Sequence, residues 1–223
     1  MKPKRIILIR HGESAANVDR YLFGQVPDYT IELTDVGRLQ AVEAGCRLKE
    51  LVCDESLYFY VSPFWRTRST FEGVVSVFPR TQFAYSEEPR LREQEWGYLR
   101  SNEEFDKICR ERREYGAFYY RIPGGEAGTD VYDRINDLLG SMYRDFCSDD
   151  FPENCVLVTH SLTIRLFLMR YYHLTVEEFE QMLSPSNCEL VVMTLQEDGR
   201  YKLEYEIRKS DVPLRYSRPI NLP

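Results

Sequence analysis

The chain has 223 residues, 43% hydrophobic and 29% charged, a balance that excludes a fibre or a disordered tail and fits one globular core. Lys and Arg number 29 against 36 Asp and Glu, a formal charge of −7 that argues against a basic nucleic-acid-binding face. The longest apolar run is five residues, 57–61, so no segment approaches the ~20 needed to span a bilayer.

The opening MKPKRIILIR has a basic front, but Arg10 ends its four-residue apolar stretch. A secretory leader needs an apolar core of ~7–15 residues, so an intracellular, cytoplasmic protein is expected. The six cysteines (Cys46, Cys53, Cys109, Cys147, Cys155 and Cys188) show no C-x-x-C or zinc-type spacing and read as reduced thiols.

Residues 4–10 (KRIILIR) form a buried-strand pattern ended by His-Gly. Thr34 is placed to cap a helix whose Val36, Leu39, Val42, Cys46 and Leu48 recur at helical spacing. Residues 57–62 predict a second strand ended by Pro63, and 64–78 a second helix. Residues 82–97 run from strand to loop. Helices follow over 102–119 and 130–147, separated by Ile122-Pro-Gly-Gly125.

Residues 155–159 (CVLVT) are a further short strand, followed at once by a helix over 162–172. Thr175 and Glu178 have the spacing of a capping box opening one more short helix. Segments 191–195 and 201–207, joined through Asp198-Gly199, predict a hairpin. Strands alternating with helices imply an α/β fold: a three-layer sandwich with a mainly parallel central sheet, helices on both faces and an antiparallel edge strand. No linker or repeat divides the chain, so one domain over residues 1–210 is expected, with 211–223 as a C-terminal tail.

Ligands of open α/β sheets bind beyond the carboxyl ends of the strands. There the chain places Arg10-His11-Gly12-Glu13-Ser14, then Ser62-Pro63-Phe64-Trp65-Arg66-Thr67, then Thr159-His160-Ser161. Two of the three histidines and two arginines therefore converge on one sheet edge. A neutral imidazole is a competent nucleophile toward phosphorus, and cationic neighbours keep it neutral. The guanidinium fork matches phosphate oxygens. Glu93 and Glu95, in the loop Leu91-Arg92-Glu93-Gln94-Glu95, are both candidates for the proton donor to a leaving alkoxide.

Arg10-His11-Gly12-Glu13, with Asn17 behind it, resembles the signature of the histidine phosphatase superfamily, which includes phosphoglycerate mutases and fructose-2,6-bisphosphatases. The resemblance runs through about residues 5–195 in order: Leu33-Thr34-x-x-Gly37-x-x-Gln40-Ala41, Ser62-Pro63-x-x-Arg66-Thr67, Arg92 to Gly97, Pro123-Gly124-Gly125-Glu126 and Val158-Thr159-His160. Arg92 to Gly97 and Phe167-Leu168-Met169-Arg170 look most like a plant and fungal group called phosphoglycerate-mutase-like. The resemblance implies that His11 forms a phosphohistidine, that Arg10, Arg66 and His160 hold the phosphoryl oxygens with help from Asn17, and that Glu93 is the acid and then the base. It implies no metal and no cofactor, and as partner only a small phosphorylated substrate. Glu13 is expected to orient a neighbour.

One position departs from the family: Ser161 stands where Gly is usual. It either caps the following helix or crowds the phosphate and alters His160. His173, without a partner motif, and Arg68 are read as structural. Arg110, Arg112 and Arg113, with Arg100 and Lys107, either bind a second anionic group of the substrate or form a solvated helix face. The aromatic run 115–120 is read as core, and Gly124, Gly125 and Gly128 lack the pattern of a nucleotide loop. Three functions compete: a phosphomonoesterase, a mutase, and a non-catalytic binder of a phosphorylated ligand. The short span from Glu93 to Glu126 favours hydrolysis over a mutase.

Overall fold

The computed structural model describes residues 2–99 and 101–212. Strand β1 (Arg5–Arg10) leads through a one-turn helix α1 (Ala15–Val18) and two 3-10 turns, Arg20–Gly24 and Asp28–Thr30, to helix α2 (Asp35–Val52). Then come β2 (Leu57–Val61), α3 (Trp65–Val75), β3 (Phe83–Glu87), α4 (Asn102–Tyr115) and α5 (Gly128–Asp145). Strand β4 (Asn154–Thr159), helices α6 (Ser161–Tyr172) and α7 (Val176–Gln181), and strands β5 (Leu190–Leu195) and β6 (Tyr201–Leu203) complete the order.

The six strands form one sheet in the order β3-β2-β4-β1-β5-β6. The β3–β2, β2–β4 and β4–β1 pairs are parallel; β1–β5 and β5–β6 are antiparallel, which gives the expected mixed edge. Successive residues of β1 serve opposite faces, as a strand period of two demands. Ile6 and Leu8 pack with Val131, Ile135 and Phe167 of α5 and α6, whereas Ile7 and Ile9 pack with Ala41, Leu48 and Val74 of α2 and α3. Burial on both faces explains why these strands read as unbroken apolar runs. Helix α2 after β1 and helix α6 after neighbouring β4 thus lie on opposite faces. A crevice opens where the two strands end.

Helix α2 corrects one expectation. Val36, Leu39, Val42 and Cys46 are exposed, and the buried face is Gly37, Ala41, Ala44, Gly45, Leu48 and Val52. Small residues let α3 approach closely: a Cβ on Gly73 would stand 2.6 Å from Ala41 Cβ. Backbone proximity, not side-chain bulk, decides which face is inside.

Other boundaries shift for local reasons. Helix α4 stops at Tyr115 because Gly116 takes φ +107°, and of the expected 115–120 core run Tyr115 and Tyr119 are exposed. The second hairpin strand is only Tyr201–Leu203. Ser161 does not cap α6; it is its first residue, and His160 holds the cap position. Thr175 and Glu178 do form their capping box, each side chain accepting from the other's backbone N–H. Of the expected tail 211–223, residues 213–223 lie outside the described residues, as does Arg100. Among the described residues no helix is long and apolar enough to cross a membrane.

Candidate active site

Sheet register delivers the first three side chains. Arg10 pairs with Thr159 across β1 and β4, and Val61 of β2 with Val158. The ladder continues one step further, with His11 N–H donating to Thr159 O at 2.9 Å and Ser62 N–H to Val158 O at 3.0 Å. His11, Ser62 and His160 therefore leave the sheet edge side by side. The two imidazoles lie 5.3 Å apart between centroids, edge to face, and both are buried.

His11 Nδ1 lies 2.7 Å from Gly12 O. A carbonyl only accepts, so Nδ1 carries the proton and Nε2 presents its lone pair. Burial holds the His11 pKa well below the ordinary 6.5, and Arg66 and Arg10 push it further down. The ring is thus neutral at neutral pH, the form that attacks phosphorus. His160 Nε2 pairs with Ser62 Oγ at 2.8 Å, and burial, Arg66 and His11 depress its pKa too.

The loop after His11 is clamped by the start of α2. Thr34 Oγ1 accepts from Gly37 N–H and donates to Glu13 Oε1 at 2.7 Å, while Glu13 N–H donates to Gln40 Oε1. A Cβ on Gly37 would stand 2.0 Å from Glu13 O, so only glycine permits this crossing. Glu13 is thereby tied to α2. Gly12 N–H donates to Thr70 Oγ1 of α3, which donates in turn to Arg66 O.

Arg66, at the start of α3, is buried with its guanidinium 4.9 Å over the Phe64 ring; its Nη1 donates to Asp28 O and Asp28 Oδ1, each at 2.7 Å. Arg10 Nη1 donates to Pro185 O at 2.7 Å. Arg10 Nε and His160 Nδ1 are buried without a hydrogen-bond partner among the described residues. A buried unpaired polar atom is costly, and a phosphoryl oxygen would satisfy both.

The loop carrying Glu93 is held by the segment before α5. Glu126 accepts from Arg92 Nη2 at 2.6 Å, from Arg134 Nη2 at 3.1 Å and from Glu95 N–H at 3.0 Å. Its own N–H returns to Glu95 O, and a Cβ on Gly125 would stand 2.3 Å from that oxygen. The Pro123-Gly124-Gly125-Glu126 segment is therefore the seat of the Glu93 loop rather than the start of a helix. Desolvation raises the Glu93 pKa above 4.5, against the pull of Gln94 N–H and Arg66. Glu95 is exposed. Of the two candidate carboxyls, Glu93 is the desolvated one, as a proton donor requires.

Asn17 is exposed; its Oδ1 accepts from Ser14 N–H, Ser14 Oγ and Asn187 Nδ2. Asn187 also donates to His11 O, and Cys188 N–H to Arg10 O. This 185–188 turn and Asp28 escaped the sequence reading, because neither follows a strand or carries a periodic signal. Ser161 Oγ donates to Ser184 Oγ at 2.5 Å. His173 caps the end of α6 in a left-handed conformation, and Arg68 pairs with Glu87 on the surface.

The basic cluster divides. Arg110 and Lys107 are exposed, whereas Arg112 Nη2 donates to Gln94 Oε1 at 3.1 Å. Arg112 and Arg165 line one cavity of about 740 Å³, and the Nε of each is buried without a hydrogen-bond partner. A second cavity of about 410 Å³, walled by Phe23, Tyr29, Phe64 and Trp96, lies on the Asp28 side. Among the described residues no three His, Cys, Asp or Glu side chains gather into a metal-binding group.

Two imidazoles, two guanidinium groups and a desolvated carboxyl at the carboxyl edge of an α/β sheet have the chemistry that phosphoryl transfer needs. The chain belongs to the histidine phosphatase superfamily (branch 1), whose sequence profile matches residues 6–207. It is 42% identical to the phosphoglycerate mutase-like protein AT74H of Arabidopsis thaliana, over 90% of this chain and 77% of that one. It is 28% identical to the broad-range acid phosphatase DET1 of Saccharomyces cerevisiae, over 93% and 90% of the two chains. The fold matches a mycobacterial glucosyl-3-phosphoglycerate phosphatase with a TM-score of 0.71 at 24% identity, over 92% of this chain and all of the other.

Proposed function

We propose that the protein is a phosphomonoesterase that hydrolyses a small phosphorylated metabolite through a phosphohistidine on His11, without a metal. The observation that carries this reading is the His11 ring: its Nδ1 is tied to Gly12 O, which leaves the Nε2 lone pair free, and burial, reinforced by Arg66 and Arg10, keeps the ring unprotonated. His11 Nε2 attacks phosphorus, the ester P–O bond breaks, and the leaving oxygen takes the proton of Glu93. Arg10, Arg66 and His160 bear the charge on the phosphoryl oxygens, with the Asn17 amide at the rim. Glu93, now a carboxylate, takes a proton from water, whose oxygen attacks phosphorus; the P–N bond breaks and its electron pair returns to Nε2.

Names among the relatives support hydrolysis of small phosphate esters, and the cavity bearing Arg112 and Arg165 offers a place for a second anionic group of the substrate. The test is hydrolysis of an aryl phosphate in excess chelator, wild type against His11→Ala. Turnover that survives chelation and vanishes in the variant is expected. Loss on chelation, or turnover that persists in the variant, contradicts the reading.

A further inference from the structure

Arg66 raises a question of charge. It is one of two guanidinium groups offered to the phosphate, yet it is engaged by a carboxylate. Asp28 accepts from Arg66 Nη1 through both its side-chain Oδ1 and its backbone O, each at 2.7 Å. The two side chains are only 3% and 15% exposed. An anion beside a phosphate site weakens phosphate binding, so a purely structural partner for Arg66 would be better neutral.

The position of Asp28 supplies a reason. Pro27 leads into the 3-10 turn Asp28–Thr30, and Asp28 and Phe64 share the wall of the 410 Å³ cavity that also reaches Arg92, next to Glu93. The field at Glu93 comes from Arg66 and Arg134, which favour its ionisation, and from Asp28, which opposes it; Glu93 in turn acts on Arg10, Arg112 and Arg165. Desolvation is the main cause of the raised Glu93 pKa, and the Asp28 carboxylate adds to it in the same direction.

We propose that Asp28 is a positioning residue with two effects: it fixes the Arg66 fork, and its charge beside that guanidinium prevents the product phosphate from being held too tightly. The proposal rests on the phosphatase reading of the site. With Asp28 ionised, Arg10, Arg66 and Asp28 sum to one positive charge; without it they sum to two, and a phosphate dianion is retained.

The test compares Asp28→Asn, which keeps an acceptor for Arg66 and removes the charge, with Asp28→Ala, which removes both. The readouts are the pH profile of kcat/KM and the Kd for inorganic phosphate by calorimetry. In Asp28→Asn phosphate should bind roughly tenfold more tightly, and the alkaline limb should move to lower pH, since Glu93 loses a carboxylate that opposes its ionisation. Asp28→Ala should in addition lose kcat, since Arg66 is no longer held.

A structural role alone would lower activity without moving either quantity. The proposal requires both changes in Asp28→Asn; either one staying at the wild-type value, or weaker phosphate binding, overturns it. If the wild type itself hydrolyses no phosphate ester, the phosphatase reading falls instead, and the phosphate titration still reports on Asp28.

Discussion

In the proposed mechanism Glu93 and His11 have opposite protonation demands, and their surroundings meet both. His11 must be neutral to attack, and its depressed pKa makes it so at any pH above the mildly acidic range. Glu93 must carry a proton, and desolvation raises its pKa. The kcat/KM profile should therefore rise with pH as His11 loses its proton, below 6.5, and fall as pH climbs through the raised Glu93 pKa. Glu93→Gln should abolish the falling limb. It should also lower kcat/KM for an alkyl phosphate by about 10²–10⁴-fold, and far less for an aryl phosphate, whose leaving group needs no proton. Equal losses on the two substrates would remove Glu93 from the acid role.

Elements bring these residues together through contacts between distant parts of the chain. Glu126 bonds backward to Arg92 and Glu95 and forward to Arg134, locking the Glu93 loop onto the start of α5. Glu126→Ala leaves Arg134, 9% exposed, without its carboxylate. Breaking such a pair costs about 3 kcal/mol, so Tm should drop by roughly 5–10 °C, with a fall in kcat as Glu93 loosens. Glu126→Gln, which keeps one accepting oxygen, should recover part of both. A Glu126→Ala protein with wild-type Tm and kcat would show that the loop is held by other contacts.

The same elements mark how far the sequence can be read. Strand–helix alternation, and the strand-end placement of Arg10, His11, Arg66 and His160, were legible because strands buried on both faces are apolar runs with abrupt polar ends. The inner face of α2 was not. Its packing relies on Gly37, Gly45 and Ala41, residues without hydrophobic signal, while the larger Val36, Leu39 and Val42 face outward. Asp28, Glu126 and Asn187 were not singled out for the roles they hold, because each acts on a residue far away in sequence (Asn187 donates to His11 O).

At the scale of the molecule, the fold makes a cationic pocket in a chain of net charge −7. The sheet edge gathers Arg10, Arg66 and two neutral imidazoles, and the surrounding loops largely desolvate them. Attraction for an anion is thereby local, set by desolvated donors and not by the overall field. The account rests on a covalent bond between His11 Nε2 and phosphorus. The most direct test is intact-mass spectrometry of the protein quenched during turnover of a phosphate ester in excess chelator. Wild type should gain one phosphoryl group that is lost in acid and maps to His11, and His11→Ala should gain none. Turnover without any phosphorylated protein, or a phosphoryl group mapped to another residue, would contradict the account.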